Sequence, residues 1–345
     1  MNQTLAEKYK DFKDNVEVNR PDTTLLVDGH NTYIRSFTTV PVVNDNGEHF
    51  GGTLGFLRSL VFLIKRFTPT EVVIVFDGKG GSARRRKLYK DYKAGRKNKI
   101  LPNRFADLKS PHTEEDSFVY QLRLLGEYLQ HLPVKVLAFD NIEADDVIAH
   151  IANVRSEKGK HSTIVSSDKD FLQLVGDNIT IYRPVKKKLY GLEEFKKDYG
   201  VTSSNFLFRR CFEGDASDNI TGVSGVGHKT LIKLFEKYSS DSLISFEEAF
   251  NICKEEIENG SRKKVYSKIL DQKDILIRNY KLMQLQDVDI AGTTKLTIND
   301  IVNRPSNTLN LFEFKKLFIR DRLTSTVRYF DNWINKSVVA RLLNS

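Results

Sequence analysis

The side chains best suited to chemistry in this chain are carboxylates, and their positions matter more than their number. Asp28 ends the apolar run Thr24-Leu25-Leu26-Val27, and Asp77 ends Val72-Val73-Ile74-Val75-Phe76. Glu143, Asp145 and Asp146 come together in Ile142-Glu143-Ala144-Asp145-Asp146, shortly after Val134–Phe139. Asp168 and Asp170 follow Ser162-Thr163-Ile164-Val165 in Ser166-Ser167-Asp168-Lys169-Asp170. Each acid alone has an ordinary explanation, since an aspartate after a strand often caps a helix or makes an Asx turn. Together they are hard to explain that way. Seven carboxylates delivered to one edge of a sheet would repel strongly at neutral pH. Either several hold protons or divalent cations neutralise them. An oxygen-only donor set suits Mg²⁺ or Mn²⁺ rather than zinc, and a pair of such ions is a common solution to phosphodiester hydrolysis. Two more acids, Asp215 and Asp218, lie three apart in Gly214-Asp215-Ala216-Ser217-Asp218-Asn219 and can share one helical face.

The cations are as unevenly placed as the acids. Between Lys79 and Lys109 there are twelve basic residues and two acidic ones, a local excess of ten. The formal charge of the whole chain is +9, so this one segment accounts for all of it. The segment includes Arg84, Arg85, Arg86, Lys93 and Arg96, with Tyr89, Tyr92 and Phe105 among them. A solvated basic loop is one reading. Aromatics interleaved with Arg and Lys suit single-stranded nucleic acid better. A third feature directly follows the second acid pair: Gly222-Val223-Ser224-Gly225-Val226-Gly227-His228-Lys229-Thr230. Its backbone N–H groups at a helix start can hold phosphate, with Lys229 adding charge. The spacing is not that of a Walker A loop, which argues against a P-loop phosphotransferase.

The elements that must carry these residues read as an α/β fold. Strand runs at 24–27, 72–76, 134–139, 162–165 and 179–182 alternate with helical patterns at 53–66, 115–131 and 143–157. That alternation predicts a mostly parallel central sheet flanked by helices. In such sheets the C-terminal strand ends form the ligand crevice, which is where the acids fall. After about Leu192 helix signals dominate, while 287–308 is polar and poorly patterned and reads as a surface connection. The expected organisation is an N-terminal extension at 1–21, an α/β domain at 22–190 with the basic segment at 79–115, and a helical region at 191–345. With 345 residues, 40% hydrophobic and 29% charged, neither a disordered chain nor a membrane protein is expected. Two cysteines make neither a disulfide framework nor a cysteine-rich zinc site, and a reducing cytoplasm is the expectation.

Seven motifs in this order resemble the flap endonuclease family of structure-specific 5′-nucleases. That family includes the 5′-nuclease domains of bacterial DNA polymerase I, the phage 5′-exonucleases and the primer-removing ribonucleases. The motifs are Val27-Asp28-Gly29-His30-Asn31, Phe76-Asp77-Gly78-Lys79-Gly80, Tyr92-Lys93-Ala94-Gly95-Arg96, Glu143-Ala144-Asp145-Asp146, Ser167-Asp168-Lys169-Asp170, Gly214–Asn219 and Gly222–Gly227. The resemblance implies that Asp28, Asp77, Glu143 and Asp145 surround a first metal. It implies that Asp146, Asp168, Asp170, Asp215 and Asp218 surround a second metal or its waters. It implies a helical arch at 79–115, with Lys93 and Arg96 on the reacting phosphate, Tyr92 near a stacking aromatic, and Arg84, Arg85 and Arg86 on nucleic acid. It further implies a helix–hairpin–helix at 215–238 gripping duplex through Gly222, Gly225, Gly227 and Lys229, with K⁺ as an optional ligand of its carbonyls. Two Mg²⁺ ions, replaceable by Mn²⁺, are the implied cofactors. His30 departs from many members, and the arch lacks an obvious second aromatic cluster.

The implied activity is hydrolysis of a phosphodiester near a 5′ end, as 5′-3′ exonuclease and flap endonuclease, in DNA replication or repair. RNA primers on DNA are a further candidate substrate, a single-strand-binding protein or a clamp a candidate partner, and a monomer the expected state. A catalytically silent binding module of the same fold would predict broken carboxylate positions, and none of the nine is substituted. A smaller PIN-type ribonuclease would lack the long basic segment and the glycine-rich hairpin.

Overall fold

The runs Leu25–Val27 and Val72–Val75 are completely buried at the centre of a six-stranded sheet, as expected of strands covered on both faces. The computed structural model describes residues 22–95 and 113–324. The N-terminal extension and residues 96–112 of the expected arch therefore lie outside the described residues. The strands are β1 (Thr23–Asp28), β2 (Glu71–Asp77), β3 (Lys135–Phe139), β4 (His161–Val165), β5 (Ile179–Arg183) and β6 (Lys188–Tyr190), in the order β3-β2-β1-β4-β5-β6. The first five pair in parallel. Only β6 is antiparallel, paired to β5 through a turn that carries Lys186 and Lys187. Lys188 itself begins the edge strand.

Successive residues of a strand face opposite sides, and the two faces have different partners. Leu25, Val27, Val72 and Ile74 pack with α1 (Gly29–Thr39), α2 (Gly51–Phe67) and, beyond the short α3 (Ala83–Leu88), α4 (Glu114–Gln130). Leu26, Val73 and Val75 pack against α5 (Ala144–Glu157). The same apolar cluster runs on without a break into the helical part. That part contains α6 (Leu192–Tyr199), α7 (Ser203–Glu213), a two-stranded ribbon β7 (Gly214–Asp215) and β8 (Ile220–Thr221), α8 (His228–Leu234), α9 (Glu236–Ser239), α10 (Phe246–Glu258), α11 (Lys264–Asp271) and α12 (Lys273–Met283).

The last two described helices, α13 (Gly292–Asn303) and α14 (Leu311–Arg320), return to the α/β part. The polar stretch 287–308 is therefore not a mere connection. It contains α13, whose Asn299 bonds His150 of α5 at 3.1 Å and whose Ile298 is fully buried. Phe314 and Phe318 of α14 pack edge-on against Tyr128 of α4. The described part of the helical region thus packs on both sides of the α/β part, α13 against α5 and α14 against α4. The Tyr128 hydroxyl donates to the buried Asp321 carboxylate at 2.8 Å. Tyr128→Phe is expected to lower stability by about 1 kcal/mol, because a buried carboxylate loses one of its donors and keeps those of Arg320. Denaturant unfolding should show a lower midpoint with an unchanged slope, and an unchanged midpoint would contradict this account.

Candidate active site

The order of the strands reverses at β1. Its neighbour on one side is β2 and on the other β4, and such a switch point is where open parallel sheets leave a crevice beyond the strand ends. Asp28 stands at this point. It caps α1, with Oδ1 accepting from the Asn31 N–H at 3.0 Å and Oδ2 accepting from the Ser166 hydroxyl at 2.8 Å. Ser166 directly follows the neighbouring strand β4 and also accepts from the Asp168 N–H at 3.0 Å, and Asp168 Oδ1 accepts from the Asp170 N–H at 2.8 Å. Asn31 closes the loop by accepting from the Ser167 N–H at 3.1 Å. One strand further out, Asp77 Oδ1 accepts from the Ala144 N–H at 2.7 Å, so the end of β2 caps the helix that begins after β3. His30 Nδ1 accepts from the Asp77 N–H at 3.0 Å.

Glycine follows Asp28 and Asp77 because the chain passes so closely there. A β-carbon on Gly78 would lie 1.9 Å from the Phe139 carbonyl oxygen, and one on Gly29 would lie 2.7 Å from the Phe76 ring.

The electrostatics sort five of the nine acids into two groups. Asp28, Asp145 and Asp170 are pushed up. Burial is the main cause for each, with Asp168 adding repulsion to all three; the Asp28 and Asp170 carboxyls rise to about 7 and that of Asp145 goes well above its usual range. Asp77 adds to the repulsion on Asp28, and Asp28 and Glu143 add to that on Asp145. The second group has resident cations. Burial alone would raise Glu143, but Arg85 and Lys93 hold it below the usual carboxylate range. Burial would likewise raise Asp215, which Ser217 and Arg210 hold down. Arg210 bridges the groups, donating from Nε to Asp170 at 3.0 Å and from a terminal nitrogen to Asp215 at 2.5 Å. Sequence reasoning missed Arg210, whose one signal is its place five residues before Asp215.

This donor set fits a hard divalent cation. Asp28, Asp145, Asp168 and Asp170 supply only oxygen, and two of them stay half-protonated near neutrality unless positive charge joins them. Among the described residues, no three acidic, histidine or cysteine side chains already surround a single coordination point.

Three sequence expectations change. Asp146 does not face the repelling group. Its two oxygens take a forked bond from Arg85, at 2.7 and 2.8 Å, and a longer contact from Arg84 at 3.3 Å. Arg85 is itself buried, bonded also to Glu143 and to the Leu282 carbonyl, so it serves the protein's interior rather than a ligand's surface. Tyr92 is buried too, with its hydroxyl 3.3 Å from Glu143 and 3.2 Å from Asp218, and in this position it offers no face to a base. The reason is the same throughout: buried carboxylates recruited the nearest donors. Arg86 remains exposed, and Arg96 lies outside the described residues.

Lys93 sits at the inner rim. Its backbone is left-handed, with φ 56°, and its N–H donates to the Asp218 carbonyl at 2.9 Å. Its ammonium group is 2.5 Å from Glu143 and 4.9 Å from the Tyr92 ring centre. Asp215 ends β7, Asp218 lies on the turn between β7 and β8, and the glycine-rich loop follows β8. Val223 and Val226 anchor that loop in the core, while Gly225, with φ 80°, and Lys229 are exposed. Gly222 packs so tightly that a β-carbon would lie 2.1 Å from the Phe212 carbonyl oxygen, and Gly227 precedes α8.

Comparison with known proteins adds to this geometry. The family described as "5'-3' exonuclease, N-terminal resolvase-like domain" matches residues 23–200. A 5'-3' exonuclease of Aquifex aeolicus is 32% identical over 288 residues, covering 79% of this chain and 94% of that protein. DNA polymerase I of Bacillus subtilis is 30% identical over 278 residues, covering 78% of this chain but 29% of the polymerase. Among solved structures, the bacteriophage T5 flap endonuclease, in a pseudo-enzyme–product complex with DNA and metal ions, has a TM-score of 0.61 at 19% identity. The likeness covers 88% of this chain and all of that one, and it shows a shared fold.

Proposed function

The chain belongs to the 5′-3′ exonuclease family, and from that premise we propose that it is a divalent-metal-dependent, structure-specific 5′-nuclease acting on DNA in replication or repair. The observation that carries this reading is the set of mutually repelling carboxylates beyond the ends of the parallel strands, raised above the usual carboxylate range by burial and rimmed by Lys93.

Asp28, Asp145, Asp168 and Asp170 would hold the metal, with Asp77, Glu143, Asp215 and Asp218 orienting ligands or waters around them. When bound, Mg²⁺ or Mn²⁺ supplies charge neutralisation and a water acidic enough to serve as nucleophile. The protein's own residues do the rest. Lys93 orients the scissile phosphate and stabilises the charge that develops on it, and Arg96 is proposed for the same task. The exposed Arg86 and the remaining basic segment guide the free 5′ strand, while the loop with Gly222, Gly225, Gly227 and Lys229 holds duplex backbone without reading sequence. That loop and its flanking helices would form a helix–hairpin–helix, with K⁺ on its carbonyls. RNA–DNA duplex as a second substrate, a single-strand-binding protein or clamp as partner, a monomeric state and a cytoplasmic location complete the proposal. No described helix is long and apolar enough to cross a membrane.

The direct test maps products from end-labelled flap, nicked and RNA-primed duplexes with Mg²⁺. Short 5′-phosphorylated products released from the 5′ end are expected. Cuts scattered along both strands would refute the reading.

A binding measurement gives an independent check. Asp28 and Asp170 titrate near 7 in the folded protein, against an ordinary value of 3.8. The folded state therefore keeps these protons longer than the unfolded chain. The metal-free protein loses stability as pH rises from about 4 and carries the whole penalty above 7. A divalent cation relieves that penalty where the carboxyls are ionised. Mg²⁺ should accordingly raise the thermal midpoint more at pH 8 than at pH 6. An equal shift at both would argue against these acids as its ligands.

A further inference from the structure

Helix α12 holds three functional pieces in register, and Arg278 is where they meet. Its guanidinium carbon lies 4.2 Å from the ring centre of Tyr89. The same group donates to Thr221 Oγ1 at 3.3 Å and to Asn279 Oδ1 at 2.9 Å. Tyr89 is the C-cap of α3 and stands four residues before Lys93. Thr221 ends β8 and directly precedes Gly222. The neighbouring Asn279 is fully buried and donates to the carbonyls of Cys211 and Thr221, both at 2.8 Å. On the arch side, Arg85 donates to the Leu282 carbonyl of α12 at 2.8 Å. The acid turn joins the same unit, since Asn219 donates to the Asp91 carbonyl at 2.9 Å and Asp218 accepts from Lys93.

We propose that Arg278 is a positioning residue, coupling the loop read above as the duplex grip to the base of the segment that carries Lys93. The proposal rests on that reading of the loop. A planar guanidinium can stack on the Tyr89 ring and donate sideways at once, whereas a lysine at this position keeps the charge but loses the fork. Duplex seated on the glycine-rich loop is thereby registered, through Thr221, Arg278 and Tyr89, against the ammonium group beside Glu143. Without this link each end still binds its own part of the substrate, but the phosphate and Lys93 are no longer aligned. Misplacement of about 1 Å costs up to 10²-fold in rate.

The test compares single-turnover cleavage of a 5′-flap duplex and of a single-stranded oligonucleotide with the same 5′ sequence, at saturating enzyme with Mg²⁺. Arg278→Met should slow flap cleavage about tenfold or more, leave the slow single-strand cleavage within about twofold and leave duplex Kd nearly unchanged. Arg278→Lys should not rescue the rate, and Tyr89→Leu should reproduce the flap-specific loss without adding to it. Equal losses on both substrates with a lowered thermal midpoint would reduce Arg278 to a structural residue and overturn the proposal. A weakened, salt-dependent Kd with a normal saturating rate, restored by Arg278→Lys, would make it a plain phosphate contact and overturn it too. If Arg278→Met does not fold, Tyr89→Leu decides alone by the same flap-versus-single-strand comparison. Wild-type protein that cleaves neither substrate would refute the nuclease reading itself, before any variant is compared.

Discussion

Asp168→Asn is expected to remove most turnover without weakening DNA binding. Asp168 adds repulsion to Asp28, Asp145 and Asp170 alike, so it occupies the centre of the group proposed to hold metal. Its neutral isostere keeps the local size and removes one anionic donor. The expected loss is roughly 10³-fold, the rate equivalent of the several kcal/mol a bound ion contributes to transition-state charge stabilisation. Chelation with EDTA should have the same effect on the wild type, with activity restored by Mg²⁺ or Mn²⁺ and no requirement for Zn²⁺. Because the glycine-rich loop lies on a different element, branched duplex should still bind. Binding should even tighten slightly, since one negative charge fewer faces the phosphates. Asp145→Asn should behave alike. Asp146→Asn tests the division among the acids: its oxygens serve Arg85 and Arg84, so its main effect should be on thermal stability. Near wild-type rates for Asp168→Asn would show that the site is misassigned.

Lys93→Ala should cut single-turnover cleavage by about 10²-fold or more, the scale of losing one positioned electrostatic stabiliser. The control is Lys87→Ala, six residues earlier in the same basic segment and exposed. Both changes remove one positive charge, so long-range attraction alone would make them equal. They differ in placement. The Lys93 ammonium is held against Glu143, and its interaction with Glu143, Asp218 and Asp145 outweighs burial and raises its affinity for the proton. It therefore stays charged at any pH at which the enzyme works. Lys87→Ala should mainly weaken binding, and more so at low salt. Equal and small effects would leave the segment a nonspecific tether and remove the role of Lys93.

Much of this arrangement can be read from the chain before any fold is known. A continuous β-branched run marks a strand buried on both faces, and an acid placed just after it must emerge at the strand's C-terminal end. Once several such runs alternate with helices, the acids share an edge, whatever the order of the strands. Asp28, Asp77 and Asp168 owe their predictability to this short-range logic. The helices at Gly51–Phe67, Glu114–Gln130 and Ala144–Glu157 were equally legible, because their apolar residues recur at helical spacing.

Tertiary structure alone decided which acids repel one another and which are neutralised. Arg85 meets Asp146 across 61 residues and the Leu282 carbonyl across 197, and Arg210 reaches Asp170 across 40. No local pattern encodes such partners, because a buried charge takes whichever counter-ion the packing brings near. The same applies to Tyr92. It lies in a segment rich in cations, which suggested a surface aromatic, yet its hydroxyl found two carboxylates and its ring was buried with them. Helix α13 was hidden because its stripe is narrow: Ile298 is its single buried residue, too little for a periodic signal. The return of α14 onto Tyr128 spans 193 residues to Asp321. Residue order thus determines that an acidic edge must exist, since a strand's direction sets where its last side chain emerges. The charge each acid keeps depends on the cations that distant helices set beside it, and that is settled only when the layers close.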